Sequence, residues 1–126
     1  MKNERKFCKC PRCGNIISFV NNSGVPIICC GEKMQELSPN TADAAKEKHV
    51  PALTRDGGKL LVTVGSTAHP MTEEHHIAWI AVATADRTQR AALRPTGAPS
   101  AEFIVGSDPV TVYAYCNLHG LLAVEG

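Results

Sequence analysis

Clustered cysteines constrain this chain more than any other feature: five of its six cysteines fall in the first 30 residues, at Cys8, Cys10, Cys13, Cys29 and Cys30. A segment of this length buries too little apolar surface to fold unaided, so it needs a cross-link or a metal. Two residues separate Cys10 from Cys13 in the stretch CPRCG, a spacing that lets both thiolates reach one ion. In a reducing compartment thiols stay free, and we therefore expect a metal rather than disulfides.

The predicted first metal site consists of four thiolates in a tetrahedral arrangement, Cys10, Cys13, Cys29 and Cys30. This donor set suits iron or zinc, and spacing alone favours zinc at least as much as iron. Side chains of adjacent residues point in different directions by default, so we expect distorted angles at the metal. Cys8 shares a strand face with Cys10 and could compete as a ligand, but the interpretation as a small apolar residue is favoured.

Composition changes near the polar stretch GEKMQELSPN, residues 31–40, and we place a domain boundary at about residue 37. The predicted domains are therefore a metal-binding module at 1–37 and a larger domain at 38–126. Within the first, the turn-forming stretch NNSG predicts a hairpin between strands Ile16–Val20 and Val25–Cys29. A helical turn is predicted at Ala42–Lys46.

The second domain is predicted to be all-β. Asp56-Gly57-Gly58 indicates a tight hairpin turn. Both faces of His75–Ala83 are apolar, so this strand is expected to be central. The predicted strands are Pro51–Arg55, Lys59–Val64, His75–Ala83, Thr88–Leu93, Ala101–Val105, Val110–Ala114 and Leu121–Val124. About seven short strands separated by turns are typical of an immunoglobulin-like β-sandwich.

A second possible metal site emerges from residues at the edges of these strands. The stretch YCNLHG places Cys116 and His119 two residues apart, a spacing that suits two ligands of one ion. If the strand ends gather at one end of the sandwich, His49, His69 and His75 could join them. Neighbouring strand residues face opposite ways, so only one of His75 and His76 is expected to bind, and we choose His75.

Four imidazoles and one thiolate point to iron chemistry rather than to structural zinc, which prefers four ligands. Such a set leaves one coordination position open opposite a donating thiolate. Next to His49, the residues Glu47 and Lys48 are interpreted first as a solvated charge run. In the functional interpretation the lysine attracts an anion and the carboxylate occupies the open position when nothing else does.

Charge and hydropathy exclude two broad classes of function. The 126 residues carry a formal net charge of +1 with acids and bases interspersed, so no basic stripe indicates nucleic acid binding. The longest apolar run, Ile77–Ala85, is far shorter than the roughly 20 residues that cross a bilayer. We expect a soluble cytoplasmic protein with no membrane or nucleic-acid partner.

Taken together, the motifs resemble those of desulfoferrodoxin, the two-iron form of superoxide reductase. The resemblance covers essentially the whole chain and rests on several stretches in the same order: CPRCG with CCG, TADAAKEKHVP, GSTAHPM followed by EEHHIAWI, and YCNLHG. It implies a desulforedoxin-like, rubredoxin-like iron module that precedes an immunoglobulin-like sandwich. In the first iron site the ligands would be Cys10, Cys13, Cys29 and Cys30.

The resemblance also implies the second site and its activity. A ferrous iron would be bound in plane by His49, His69, His75 and His119 and axially by Cys116. Lys48 would steer superoxide, and Glu47 would cap the ferric iron after turnover. Superoxide would be reduced to hydrogen peroxide with electrons from rubredoxin or a similar donor, and the protein would be a homodimer. His76 stands where the family often has an aromatic residue.

Two other functions remain open from the sequence. A non-enzymatic iron electron-transfer protein needs only the cysteine quartet, and leaves the later histidines and Cys116 unexplained. A zinc-stapled binding module on an immunoglobulin-like domain needs no iron at all. Metal content and visible absorption distinguish the three, because two irons per chain favour the enzyme, one favours the carrier, and colourless zinc favours the module.

Overall fold

The computed structural model describes residues 2–39, 50–65 and 69–126. Every regular element in these ranges is a β-strand, and the strands form four sheets. The predicted helical turn at Ala42–Lys46 lies outside the described residues. No helix in the described ranges has the length and apolar character needed to cross a membrane. The chain divides into two compact units. The smaller is Arg5–Ser38, and the larger consists of Met1–Glu4 together with Pro39–Gly126. The domain boundary at about residue 37 stays a prediction.

The smaller unit contains five short strands in two sheets. They are β1 (Phe7–Lys9), β2 (Ile16–Ser18), β3 (Ile28–Cys29), β4 (Glu32–Lys33) and β5 (Gln35–Glu36). One sheet has the order β2-β1-β5, and the other pairs β3 with β4, all antiparallel. Its described core is small, with buried Cys8, Cys10 and Met34 flanked by Ile17, Phe19 and Cys29. So small a core agrees with the need for a metal.

The hairpin predicted around NNSG is wrong. Strand β2 pairs with β1 instead of β3, and β3 pairs with β4. The metal-binding stretch itself forms the β1–β2 connection, where the Cys10 N–H donates to the Asn15 carbonyl at 2.8 Å. NNSG only closes a local turn, in which Asn22 Oδ1 accepts a hydrogen bond from the Gly24 N–H at 2.9 Å. The sequence pattern therefore predicts the local turn correctly and the strand partners wrongly.

Seven strands build the larger unit, in two antiparallel sheets. The three-stranded sheet has the order β10-β7-β6 and the four-stranded sheet the order β12-β11-β8-β9. The strands are β6 (Pro51–Asp56), β7 (Lys59–Val64), β8 (Ile77–Ala83), β9 (Thr88–Ala92), β10 (Ser100–Ile104), β11 (Thr111–Cys116) and β12 (Gly120–Glu125). The all-β prediction is confirmed, with each of the seven predicted strands of this domain recovered within about two residues of its ends.

Two details of the predicted sandwich are also confirmed. Gly57 and Gly58, with φ of 56° and 86°, form the two-residue connection between β6 and β7. Strand β8 is interior, between β11 and β9, as its two apolar faces indicated. The inner faces of both sheets share one core, to which the first contributes Leu60 and Val62 and the second Ile80 and Val112. Such face-to-face packing defines an immunoglobulin-like sandwich.

Strand pairing sets the position of the second candidate site. Because β8 and β11 are antiparallel neighbours, the end of β11 lies beside the beginning of β8. Their register shifts between Tyr115 and Cys116, so that Cys116 pairs with Ile77 and Ala78 is skipped. A β-bulge of this kind re-aims the side chain at the end of a strand. Cys116 is thereby placed, fully buried, next to the segment that contains His75.

Candidate metal centres

The four cysteines of the smaller unit converge as one donor set. Their sulfur atoms all lie within 4.8 Å of one another. Cys13 Sγ and Cys29 Sγ are 3.7 Å apart. Tetrahedral coordination with metal–sulfur bonds of about 2.3 Å places sulfurs about 3.8 Å apart. The arrangement therefore fits a single tetrahedral ion without rearrangement of this pair.

A hairpin turn lets two adjacent cysteines point at one ion. Cys29 pairs with Glu32, so the two-residue connection between β3 and β4 is Cys30-Gly31. Both residues have positive φ, 53° for Cys30 and 73° for Gly31, the pattern of a type I′ turn. Left-handed backbone is uncommon for a residue with a side chain, and Asn or Gly usually fills the first position. Cys30 adopts it here, which turns its side chain toward the other three sulfurs.

Hydrogen bonds make the thiols of Cys10, Cys29 and Cys30 unequal in acidity. The Cys13 N–H donates to Cys10 Sγ at 3.4 Å, which is the main reason that the pKa of Cys10 is lowered to about 6. Hydrogen bonding to Cys13 raises the pKa of Cys30 to about 12, and hydrogen bonding to Cys10 raises the pKa of Cys29. In the metal-free protein Cys10 thus loses its proton more readily than an ordinary thiol, as its lowered pKa indicates, while Cys29 and Cys30 hold theirs more tightly. A metal must displace those protons.

Cys8 does not join this donor set. Among the described residues, the group that could hold an ion has Cys10, Cys13, Cys29 and Cys30 as its members. Cys8 is buried in the small apolar core of the same unit. Its environment agrees with the interpretation as a small apolar residue.

The second donor set lies at one end of the sandwich. It contains His69, His75 and Cys116, whose ligand atoms all lie within 4.8 Å of one another. The rings of His69 and His75 are edge to face, with centroids 4.6 Å apart. The His119 ring is tilted against that of His75 at 5.0 Å. His119 is exposed and lies outside the tight group of three.

The ligands of the tight group lie at or near the ends of strands. His69 follows β7, His75 comes two residues before β8, and Cys116 ends β11. His69 Nδ1 lies 2.7 Å from the Pro70 carbonyl oxygen. Since a carbonyl can only accept, Nδ1 carries the proton, and in the neutral ring Nε2 keeps its lone pair. Nε2 is also the buried ring nitrogen of His69, which suits it to bind a metal.

The side chains of His75 and His76 have different partners. His75 faces the cluster, whereas His76 Nδ1 hydrogen-bonds the Thr72 carbonyl oxygen at 2.9 Å. The predicted ligand His49, and the predicted catalytic residues Glu47 and Lys48, lie outside the described residues. As ligands or catalytic groups, all the predicted residues of this site stay predictions.

Both donor sets fit iron by their chemistry. Four thiolates at tetrahedral spacing suit iron or zinc. Imidazole nitrogens with one thiolate suit iron, and the exposed His119 ring lies beside this set. Residues Thr72 and Asn117, which hold the backbone of this site through hydrogen bonds, were not found from the sequence. A β-bulge and loop-to-loop hydrogen bonds have no sequence signature that could have revealed them.

The fold and its two donor sets define a two-centre metalloprotein: a four-thiolate module and a β-sandwich with a histidine–thiolate site. A sequence profile of the desulfoferrodoxin family matches residues 41–125. The chain is 48% identical over 113 residues to a desulfoferrodoxin homolog of Archaeoglobus fulgidus, covering 90% of each protein. It is 43% identical over 120 residues to the desulfoferrodoxin of Nitratidesulfovibrio vulgaris, covering 95% of each. The chain belongs to the desulfoferrodoxin family.

Solved structures agree with this assignment. The superoxide reductase of Treponema pallidum superposes with a TM-score of 0.80 at 33% identity, covering 98% of this chain and 99% of that one. A one-iron superoxide reductase of Giardia intestinalis gives a TM-score of 0.57 at 32% identity, covering 64% of this chain and 98% of that one. The two donor sets accordingly fit the two iron centres of a desulfoferrodoxin, and the resemblance seen in the sequence is confirmed.

Removal of one quartet cysteine is expected to remove one iron. Cys13→Ala leaves three thiolates for the first ion, so iron per chain should fall from two to one while the second site stays filled. Cys8→Ala is the matched control, because it removes a thiol from the same unit but outside the donor set. Iron analysis and the visible spectrum report both. Loss of iron from Cys8→Ala with retention in Cys13→Ala would contradict the assignment.

Metal affinity of the quartet is expected to rise steeply with pH. Cys29 and Cys30 have raised pKa values, so both are protonated near neutrality and a metal must release at least these two protons. Affinity should therefore increase by about 100-fold or more per pH unit. Cobalt titrations of metal-free protein about one pH unit apart near neutrality, followed by the sulfur-to-cobalt bands, measure it. An affinity independent of pH in this range would contradict the described thiol network.

Proposed function

We propose that this chain is a superoxide reductase, which reduces superoxide to hydrogen peroxide by one electron at the histidine–thiolate centre. The observation that carries the proposal is the buried Cys116 thiol within 4.8 Å of the ligand nitrogens of His69 and His75. Similarity to structures named superoxide reductases supports it. An electron carrier, the alternative function, requires only the cysteine quartet and gives no reason for this second donor set.

In the proposed site the described ligands are His69, His75 and Cys116, with His119 and His49 completing the set. The centroid of the His119 ring lies 5.0 Å from that of His75, which places His119 beside the described ligands. His49 belongs to the stretch TADAAKEKHVP, on which the family resemblance partly rests. A ferrous ion held by these residues supplies the electron that superoxide requires.

The protein's own groups would then govern access and charge. Cys116 is fully buried, which shields its sulfur from water and from oxidation. Exposed His119 marks the side of the cluster that solvent reaches. Lys48 would raise the local concentration of superoxide, an anion, and Glu47 would supply a carboxylate to the oxidised site.

Electrons would enter through the smaller unit or directly at the sandwich. In the quartet, Cys13 and Cys30 are exposed while Cys10 is fully buried. The exposed pair of thiolates offers a surface at which a rubredoxin-like donor could exchange electrons. We propose such a donor, a homodimer and a cytoplasmic location on the strength of the family resemblance.

Superoxide stoichiometry tests the proposed function directly. Anaerobically reduced, iron-loaded protein should consume one superoxide for each second-site ferrous ion oxidised and yield one hydrogen peroxide, with two protons taken from solvent and no dioxygen formed. Evolution of dioxygen together with peroxide would indicate dismutation instead. Oxidation of the four-thiolate centre alone, with the second site unchanged, would favour the electron carrier.

Loss of the Lys48 charge is expected to slow the reaction with superoxide. Lys48→Met should lower the second-order rate constant by about 10-fold and flatten its dependence on ionic strength, because the attraction is electrostatic. Lys46→Met is the control, since it removes the same charge two residues away. Pulse radiolysis at several salt concentrations measures both variants. Equal rates and equal salt dependence in the two variants would remove Lys48 from its proposed role.

A further inference from the structure

One asparagine side chain joins the two loops that carry the described ligands of the second site. Asn117 Oδ1 accepts a hydrogen bond from the His76 N–H at 2.9 Å, and Asn117 Nδ2 donates to the Glu74 carbonyl at 2.9 Å. These two partners flank His75 on either side. Asn117 itself directly follows Cys116. A single amide group therefore links the backbone around one ligand to the residue after another.

The partners also fix the orientation of the amide. A backbone N–H can only donate and a carbonyl can only accept, so Oδ1 must face His76 and Nδ2 must face Glu74. The side chain thus presents one acceptor and one donor, as a peptide group of a strand does. Beyond Cys116 and Ile77 the β11–β8 ladder ends in the bulged register. Together with the Asn117 N–H, which donates to the His76 carbonyl at 3.2 Å, the side chain extends the ladder past that point.

The loop that Asn117 holds is itself a closed unit. Thr72 N–H donates to the His75 carbonyl at 2.9 Å, and His75 N–H donates to the Thr72 carbonyl at 3.2 Å. Thr72 Oγ1 also accepts from the His75 N–H at 3.1 Å, and the His76 ring bonds the Thr72 carbonyl oxygen. This loop is therefore held in shape by its own hydrogen bonds. Asn117 makes three hydrogen bonds between this loop and the turn that follows Cys116.

We propose that Asn117 is a positioning residue, whose side-chain amide holds the His75 loop in register with Cys116 so that both ligand atoms face one ion. The inference rests on the proposed metal centre and deepens it. It follows because ligand atoms within 4.8 Å tolerate little relative movement of their two loops. Groups that orient metal ligands in this way are commonly worth 10- to 100-fold in metal affinity.

Two variants and one control test the assignment in the full-length chain. Asn117→Ala removes both side-chain bonds. Asn117→Asp keeps the acceptor for the His76 N–H but replaces the donor to Glu74. Gln89→Ala is the control, because Gln89 is a half-buried amide of the same unit whose Nε2 donates to a backbone carbonyl, that of Ile104, at 2.8 Å. It removes a comparable bond away from the donor set.

Two readouts separate positioning from general stabilisation. The cobalt dissociation constant of the histidine–thiolate site is expected to be at least about 10-fold larger in Asn117→Ala than in the parent. The constant of Gln89→Ala should stay within about 2-fold of the parent value. In metal-free protein, hydrogen exchange of the His76 amide should accelerate in Asn117→Ala and be restored in Asn117→Asp. The aspartate variant should recover cobalt affinity only in part.

The opposite results overturn the proposal. An Asn117→Ala variant that binds cobalt within about 2-fold of the parent shows that the amide does not set the ligand geometry. So does an equal loss of affinity in Asn117→Ala and Gln89→Ala, which indicates a stability effect. Neither readout depends on turnover, so a parent protein that binds cobalt but does not reduce superoxide refutes the proposed function and not this assignment.

Discussion

The antiparallel pairing of β8 with β11 is the constraint on which the second centre depends. It brings the end of one strand beside the beginning of the other, although Cys116 and His75 are far apart in sequence. The bulge at the end of that pairing then turns a core position into a ligand position. Cys116 belongs to the sandwich core and to the donor set at once. A rigid, buried thiol of this kind is pre-organised for a metal because its position is already fixed by packing.

In the smaller unit, turn geometry rather than core packing positions the metal ligands. Its core is small, and three of its four ligand cysteines, Cys10, Cys13 and Cys30, lie in the connections between strands. One connection links β1 with β2 and contains Cys13, and the other is the Cys30-Gly31 turn. Metal binding therefore holds both hairpin connections of this unit together, and loss of the ion should destabilise it.

Local signals in the sequence predicted a large part of this architecture. Cys10-Pro-Arg-Cys13 marked the first centre, Gly57-Gly58 marked a hairpin, and two apolar faces marked β8 as interior. The choice of His75 over its neighbour rested on strand alternation. Strand partners in the smaller unit could not be predicted, because NNSG and the metal-binding stretch both satisfy turn rules and only tertiary pairing decides between them. The Asn117 bonds likewise depend on a register shift that no local pattern encodes.

The central claim is that strand ends of one sandwich gather imidazoles and a thiolate on one iron, separate from the four-thiolate iron. A crystal structure of the anaerobically iron-loaded protein, with anomalous differences measured at the iron edge, tests it most directly. The account predicts two iron peaks per chain, one among the four cysteines of the smaller unit and one bonded to His69, His75 and Cys116. A single peak, or a second iron without a bond to Cys116 Sγ, would contradict it.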